Sequence, residues 1–493
     1  MNKKIISTFL KENCTIKQAM DCINKSGFRF SLVVNKNKKL LGIVTDGNIR
    51  NGLLAGKNLG TPVREIMTRR PITAPKGMPA SKLLEMMLKK GIQEIPIVDN
   101  KNIVIDIALF KELKNIPLSS PDITYKEVEI INQVLGTPFL SIGPKIEEFE
   151  KKMANFIGTK YAIAVNSGTS GLHLCIKSLD IKDGDEVITT PFSFISSANC
   201  ILFERAKPVF VDINRDTLCI DASKIEEKIT RRTKAILPVH IFGHSCEMDK
   251  IKKIAKKHNL AIIEDACEAL GTEYKGRKVG TFGEAAVFSF YPNKQITTSE
   301  GGLIVTNNKK IADLCQSMRS QGRGEGASWL NHVRLGYNYR MSELNAALGA
   351  VQIERIGEIL EKREKVANLY NEKLKEIEEI KIPYVASDVK MSWFVYVIRL
   401  DERKFSERDR DRIIHLLEIK GINCRNYFPS IHLQPFYIEK FNYKKRDFPI
   451  TEKVSDLTIA LPFYNNLSMD EINYVCEGLK DIVSNFKKHR LSF

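Results

Sequence analysis

The sequence predicts an α/β fold with a mainly parallel central sheet, preceded by a smaller, duplicated α+β module. Three observations lead there. Apolar strand-like runs alternate with helical stretches between residues 161 and 305, two similar short units fill the first 116 residues, and a linker with Pro117, Ser119, Ser120 and Pro121 stands between these regions. At 493 residues the chain is too long for one ordinary core. Its 43% hydrophobic and 27% charged residues fit a globular protein and exclude disordered or fibrous classes.

The first unit, about residues 1–58, reads as a helix from Thr15 to Lys25, a strand from Phe30 to Asn35, a polar turn and a strand from Leu40 to Val44. The second, about 59–116, repeats that order with a helix from Met78 to Lys90 and strands from Glu94 to Val98 and Ile103 to Ile107. Neither unit is large enough to bury its own sheet face, so the two are expected to pack together.

A large domain is expected over 117–365. Its strands are Tyr161 to Val165, Glu186 to Thr189, Pro208 to Val211, Ala235 to Val239, Ala261 to Ile263, Ala286 to Phe290 and Leu303 to Val305. Helices from Gly171 to Leu179 and Met248 to His258 fall between them, and such alternation implies a parallel sheet covered on both faces. A helical stretch from Ser342 to Glu378 leads into a smaller α/β domain over 366–493. That domain holds a strand from Trp393 to Leu400, a helix from Glu407 to Lys420, and a C-terminal helix from Met469 to Lys487 ending in a basic tail.

The formal charge of +17 suits anionic partners. Basic and acidic residues are interleaved, as in Glu361 to Lys365, and the aromatic-basic repeats of RNA platforms are missing. Small phosphorylated ligands are therefore expected rather than nucleic acid. The apolar stretch near the start is broken, and no run is long enough to span a bilayer, so a cytoplasmic protein without membrane insertion is expected. Ten cysteines without a Cys-x-x-Cys pair suggest reduced, packed thiols. His240 and His244 are spaced like zinc ligands on a helix, but Pro238 and Gly243 place them at a strand end and loop, and no metal is expected.

In an open α/β sheet, ligands lie beyond the carboxyl ends of the strands. Lys294 follows an apolar strand and precedes Thr, Ser and paired glycines, a context suited to a Schiff-base lysine. The turn from Asn166 to Gly171 opens a helix, so the backbone N–H groups of Gly168, Thr169 and Ser170 can cradle a phosphate. Asp265 ends a buried run and suits either a pyridinium partner or a helix N-cap. Phe194 can lie against a planar ring or pack in the core, and Ser289 can add a hydroxyl to the phosphate or serve as a strand serine.

These components, in this order, compose a pyridoxal phosphate site. Residues 118–485 resemble the DegT/DnrJ/EryC1/StrS family of sugar aminotransferases. The resemblance rests on Gly143 and Pro144 with Glu147 to Glu150, Asn166 to Thr169, Glu264 to Gly271, Phe288 to Lys294, Ser299 to Gly302, and Gly336 to Met341. It implies a fold type I PLP-dependent aminotransferase using pyridoxal 5'-phosphate. Lys294 would be the covalent cofactor lysine and proton shuttle, Asp265 the pyridine-nitrogen partner, and Phe194 the stacking residue. Thr169, Ser170 and Ser289 would touch the phosphate, and Asn338 would reach the phosphate of a neighbouring subunit, implying a homodimer with shared sites. Two departures stand out: Ser299 replaces a common glycine, and Glu268 replaces a common Gln or His. A Glu at 268 is shared with perosamine-synthase-like members, so the implied reaction moves an amino group from L-glutamate, leaving 2-oxoglutarate, to a GDP-linked 4-keto-6-deoxy sugar. UDP- or dTDP-linked sugars stay open, as does a noncatalytic scaffold.

The first 116 residues resemble a tandem CBS pair, best in Leu41 to Arg50 with Glu65 to Met67. That resemblance implies an adenine nucleotide whose ribose would meet Thr45 and Asn48. The second unit lacks the corresponding Thr and Asp, so a packing or oligomerisation role stays open as well.

Overall fold

A computed structural model describes residues 3–110, 115–324 and 331–486. The basic tail expected after the C-terminal helix lies outside them. The chain divides into two compact units, Met1–Asn115 with Glu418–Gly421, and Ile116–Leu417 with Ile422–Phe493.

In the first unit, one sheet orders Phe9–Leu10, Phe30–Val34, Leu40–Thr45 and Thr68–Arg69, and another orders Ala74–Pro75, Glu94–Val98 and Val104–Leu109. Helix Ile16–Ser26 starts in a capping box, with Thr15 accepting from the Gln18 N–H, and stops at Gly27 in the left-handed region. The two sheets share a core in which Phe30, Leu32 and Leu40 pack with Val98, Val104 and Leu109. Each half thus buries its apolar face against the other.

The second unit is built on a seven-stranded sheet. Across it run Lys207–Phe210, Glu186–Thr189, Thr233–Ile236, Ala261–Asp265, Ala285–Ser289, Gly302–Thr306 and Tyr161–Val165. All neighbours are parallel except Gly302–Thr306, which is antiparallel to both of its own. The strands read as nearly continuous Val, Ile, Ala and Leu because helices cover both faces. Register aligns the functional ends: Asp265 pairs with Val287, and Gly302 lies between Ser289 and Val165. The carboxyl ends of three parallel strands thereby open on one side. Gly302 is required there, since a Cβ would stand 2.5 Å from the Ser167 carbonyl carbon.

The structure departs from the sequence expectation in several elements. The helix expected from Ser342 to Glu378 is two helices, Glu343–Glu354 and Ile356–Leu374, broken at Arg355. Arg355 is drawn into a buried cluster, donating to Glu127 at 2.7 Å and Asp122 at 3.0 Å. Helices Tyr125–Leu135, Pro144–Ile157 and Lys309–Arg319 and strand Thr458–Leu461 appear where the sequence reading placed no element. The strand expected from Trp393 begins at Tyr396, because Trp393 has a φ of 52°, outside the strand region. Ile380–Lys381, Tyr396–Leu400 and Thr458–Leu461 form a small antiparallel sheet against helices Glu407–Ile419 and Met469–Ser484.

Ser299 has a φ of 70°, the left-handed conformation that glycine adopts without cost. Its side chain is exposed, and its backbone N–H bond to Thr297 Oγ1, at 2.9 Å, is one that glycine would keep. Ser299→Gly is expected to stabilise the protein by about 0.5 kcal/mol, the steric relief less glycine's greater unfolded freedom. A denaturant midpoint unchanged or lowered would contradict this.

Candidate active site

A cavity of about 770 Å³ opens at the carboxyl ends of the parallel strands. Gly168, Thr169, Phe194, Asp265, Glu268, Ser289 and Lys294 all contribute to its wall. The site is thus assembled from strand ends far apart in sequence. Among the described residues lining it, Lys294 carries the only amine.

Helix Gly168–Ser178 begins against this cavity, capped by Ser167, whose Oγ accepts from the Ser170 N–H at 3.1 Å. The N–H groups of Gly168 and Thr169 lie in the first turn, where no helical carbonyl can accept from them. Thr169 Oγ1 and Ser196 Oγ are 2.7 Å apart, and a Cβ at position 168 would meet Ser289 Cβ at 3.0 Å. Serine and threonine hydroxyls therefore surround a helix N-terminus, the environment an anionic oxygen requires.

Ser170 is directed elsewhere. Its hydroxyl donates to Asn166 Oδ1 at 2.7 Å, and the residue is 8% exposed and does not line the cavity. A helix residue three places past the cap turns toward the interior, while Thr169, two places past it, faces the opening. Asn338 is also outside the cavity, exposed on the loop that follows Tyr337.

Asp265 is 5% exposed. Ser197 Oγ donates to its Oδ2 at 2.6 Å and the Cys267 N–H to its Oδ1 at 3.1 Å, and Ser193 stands 2.8 Å behind Ser197. These contacts fix the carboxylate on the cavity floor. Phe194 is 59% exposed and presents its ring to the opening.

Lys294 Nζ lies 3.5 Å from Glu268 Oε1 and 3.9 Å from the centre of the Phe394 ring. Glu268 is held by the Phe242 N–H at 2.8 Å. Phe394 is set by the Arg363 guanidinium, which donates to the Trp393 and Phe394 carbonyls at 2.7 and 2.6 Å. Sequence reasoning missed Ser196, Ser197 and Phe394. The two serines follow Phe194 after one residue, Ile195, and their position shortly after a strand end was an available signal. Phe394 comes from a segment 100 residues after Lys294, and no local pattern marks it.

Burial pushes the Glu268 carboxyl above its ordinary range, against the pull of Lys294. A raised folded-state value means that Glu268 contributes stability below the unfolded carboxylate value and loses it as pH rises through the folded one. Glu268→Gln, which keeps an acceptor for the Phe242 N–H, should therefore exceed the parent in stability at about pH 8, with the gap narrowing toward about pH 4. Urea midpoints at the two pH values check this, and a pH-independent gap would contradict it.

The donor set fits pyridoxal phosphate. Hydroxyls and first-turn N–H groups would hold its phosphate, Asp265 its pyridine nitrogen, and Lys294 its carbonyl carbon.

His240 and His244 flank the short turn Ile241–Gly243. His240 Nε2 is 3.1 Å from Glu264 Oε2, while His244 Nε2 accepts from the Ala386 N–H. In the first unit, Thr45 and Asn48 form a capping box for helix Asp46–Leu54, with Thr45 Oγ1 donating to Asn48 Oδ1 at 2.9 Å and Asn48 Nδ2 donating to Thr68 at 3.2 Å. Their polar groups are already engaged with one another and with Thr68. Among the described residues, no helix is long and apolar enough to cross a membrane.

The sequence model of the DegT/DnrJ/EryC1/StrS aminotransferase family matches residues 121–480, and that of the CBS domain matches 1–55 and 63–114. The chain is 38% identical to the spore coat polysaccharide biosynthesis protein SpsC of Bacillus subtilis, over 75% of this chain and 97% of that one. It is 37% identical to the GDP-perosamine synthase of Escherichia coli O157:H7, over 76% of this chain and all of that one. Among solved structures, the PLP form of a Streptococcus pneumoniae protein described as a sugar aminotransferase superposes with a TM-score of 0.71 at 28% identity, covering 75% of this chain and 99% of that one.

Proposed function

Because the chain belongs to the DegT/DnrJ/EryC1/StrS aminotransferase family, we propose that it moves the amino group of L-glutamate to a nucleotide-linked 4-keto-6-deoxy sugar. The setting is the cytoplasm and the product feeds surface polysaccharide or glycan biosynthesis. The observation that carries this reading is the convergence of Lys294, Asp265 and the N-terminus of helix Gly168–Ser178 on one cavity. A GDP-linked sugar is favoured by Glu268 and by the similarity to GDP-perosamine synthase.

Pyridoxal phosphate, when bound, supplies the electron sink that lets a carbon lose its proton. In each half of the exchange Lys294 Nζ would act as base and then acid, taking a proton from one carbon and delivering it to another, so that the second half reverses the first. Glu268 and Phe394 restrict where the amine can point. Asp265, braced by Ser197, would meet the ring nitrogen, and Phe194 would stack on the ring. Thr169, Ser196 and Ser289 would hold the phosphate end.

Asn338, exposed on its loop, would reach the cofactor phosphate of a second subunit. A homodimer is supported by exposed apolar side chains on helix Tyr125–Leu135 and the segment after it, among them Tyr125, Val128, Leu135, Phe139 and Ile142.

For the first unit we favour packing over nucleotide binding, because a ribose would have to displace the hydrogen bonds between Thr45 and Asn48. Titrating the full chain with AMP or ATP should give no saturable heat that Thr45→Ala removes.

The enzymatic reading is tested by incubating the protein with glutamate and GDP-, UDP- or dTDP-linked 4-keto-6-deoxyhexoses. Amino sugar and 2-oxoglutarate are expected in equal amounts, fastest with the GDP sugar. Failure to form 2-oxoglutarate with every sugar would sink the proposal.

A further inference from the structure

A second cavity, of about 220 Å³, shares no lining residue with the first. Its charged wall consists of Arg215, Lys381, Arg399, Glu402 and Lys453. Glu402 is the partner of two of these cations, pairing with Arg215 and, at 2.9 Å, with Lys453. Among the described residues, Lys381 and Arg399 have no carboxylate within ion-pair distance.

Those two unmatched cations are cross-strand neighbours. Strands Ile380–Lys381 and Tyr396–Leu400 are antiparallel, with Lys381 directly opposite Arg399, so both side chains project from the same face. Like charges in this position repel, and an anion between them relieves the repulsion. The Arg399 guanidinium donates through Nη1 to the Arg215 carbonyl, which ties one edge of its fork and leaves the rest toward the cavity. Burial and the nearby Arg215 oppose the charge on Arg399, while Asp216 and Glu402 favour it. Four cations thus face one carboxylate, Glu402, around the cavity.

The cavity is smaller than the roughly 300–1,000 Å³ typical of sites for drug-sized ligands, which limits the occupant to a compact anion. Ile450, Val454 and Leu457 form an apolar side beside the charged one. A guanidinium fork beside an ammonium is the donor geometry that tetrahedral phosphate oxygens accept. We propose that this cavity binds a phosphate dianion, either free phosphate or a small phosphate monoester, with Arg399 and Lys381 as its direct ligands.

The test is calorimetry on the full chain loaded with its cofactor, titrated with inorganic phosphate and with phenyl phosphate at constant ionic strength. One saturable event per chain is expected, weakened at least tenfold by Arg399→Gln and by Lys381→Gln. Lys381 is exposed on a two-residue strand, so its variant keeps the test valid if the Arg399 variant misfolds. Tighter binding of phenyl phosphate would identify a monoester, and equal binding free phosphate. Parent-like binding in the variants, or heat reproduced by chloride at matched ionic strength, would overturn the proposal.

Discussion

Lys294→Ala should lower the rate of amino transfer by about 10³-fold or more, because the proton shuttle and the nucleophile are removed together. The fold should survive, since Lys294 is partly exposed on the cavity wall and its contacts are with Glu268 and the Phe394 ring. Circular dichroism and the denaturant midpoint would separate lost chemistry from lost structure. A variant within tenfold of the parent would show that another group moves the proton.

Asp265→Asn should cost roughly 10²–10³-fold in kcat, the scale of removing one preorganised electrostatic contact. The amide occupies the same volume, its oxygen can still accept from the Cys267 N–H, and its NH2 can donate to Ser197 Oγ once that hydroxyl rotates, so geometry is largely retained while the carboxylate is lost. Ser197→Ala should have a smaller effect, because it loosens Asp265 without replacing it. If Asp265→Asn left kcat unchanged, Asp265 would serve only to order the turn after its strand, through Ser197 and the Cys267 N–H, since no helix follows it to be capped.

Much of the site was legible because an α/β sheet brings strand ends together, and Lys294, Asp265, Glu268, Ser289 and Phe194 all follow strand-like runs. What could not be read depends on direction or on distant chain. Ser170 belongs to the phosphate-like turn in sequence, yet one helical step aims its hydroxyl at Asn166. Phe394 reaches Lys294 only through the Arg363 contacts that fix its backbone.

The fold shows the same division. Alternation of apolar runs predicted the parallel strands, but the short antiparallel pair Glu273–Tyr274 and Arg277–Lys278 is too brief for periodicity to register. The break at Arg355 is accompanied in sequence only by Gly357 two residues on, and the buried ion cluster that holds Arg355 joins residues far apart in the chain. Thr45 and Asn48 carry a spacing that suits both a ribose contact and a capping box, and sequence alone does not separate them.

The central claim is that Lys294 is the covalent cofactor lysine. Borohydride reduction of the purified protein with pyridoxal phosphate, followed by peptide mapping, tests it most directly. One modified peptide is expected, labelled at Lys294, with the visible absorbance of the bound cofactor lost and the ultraviolet band of its ring retained. Labelling at another lysine, or no labelled peptide at all, would contradict it.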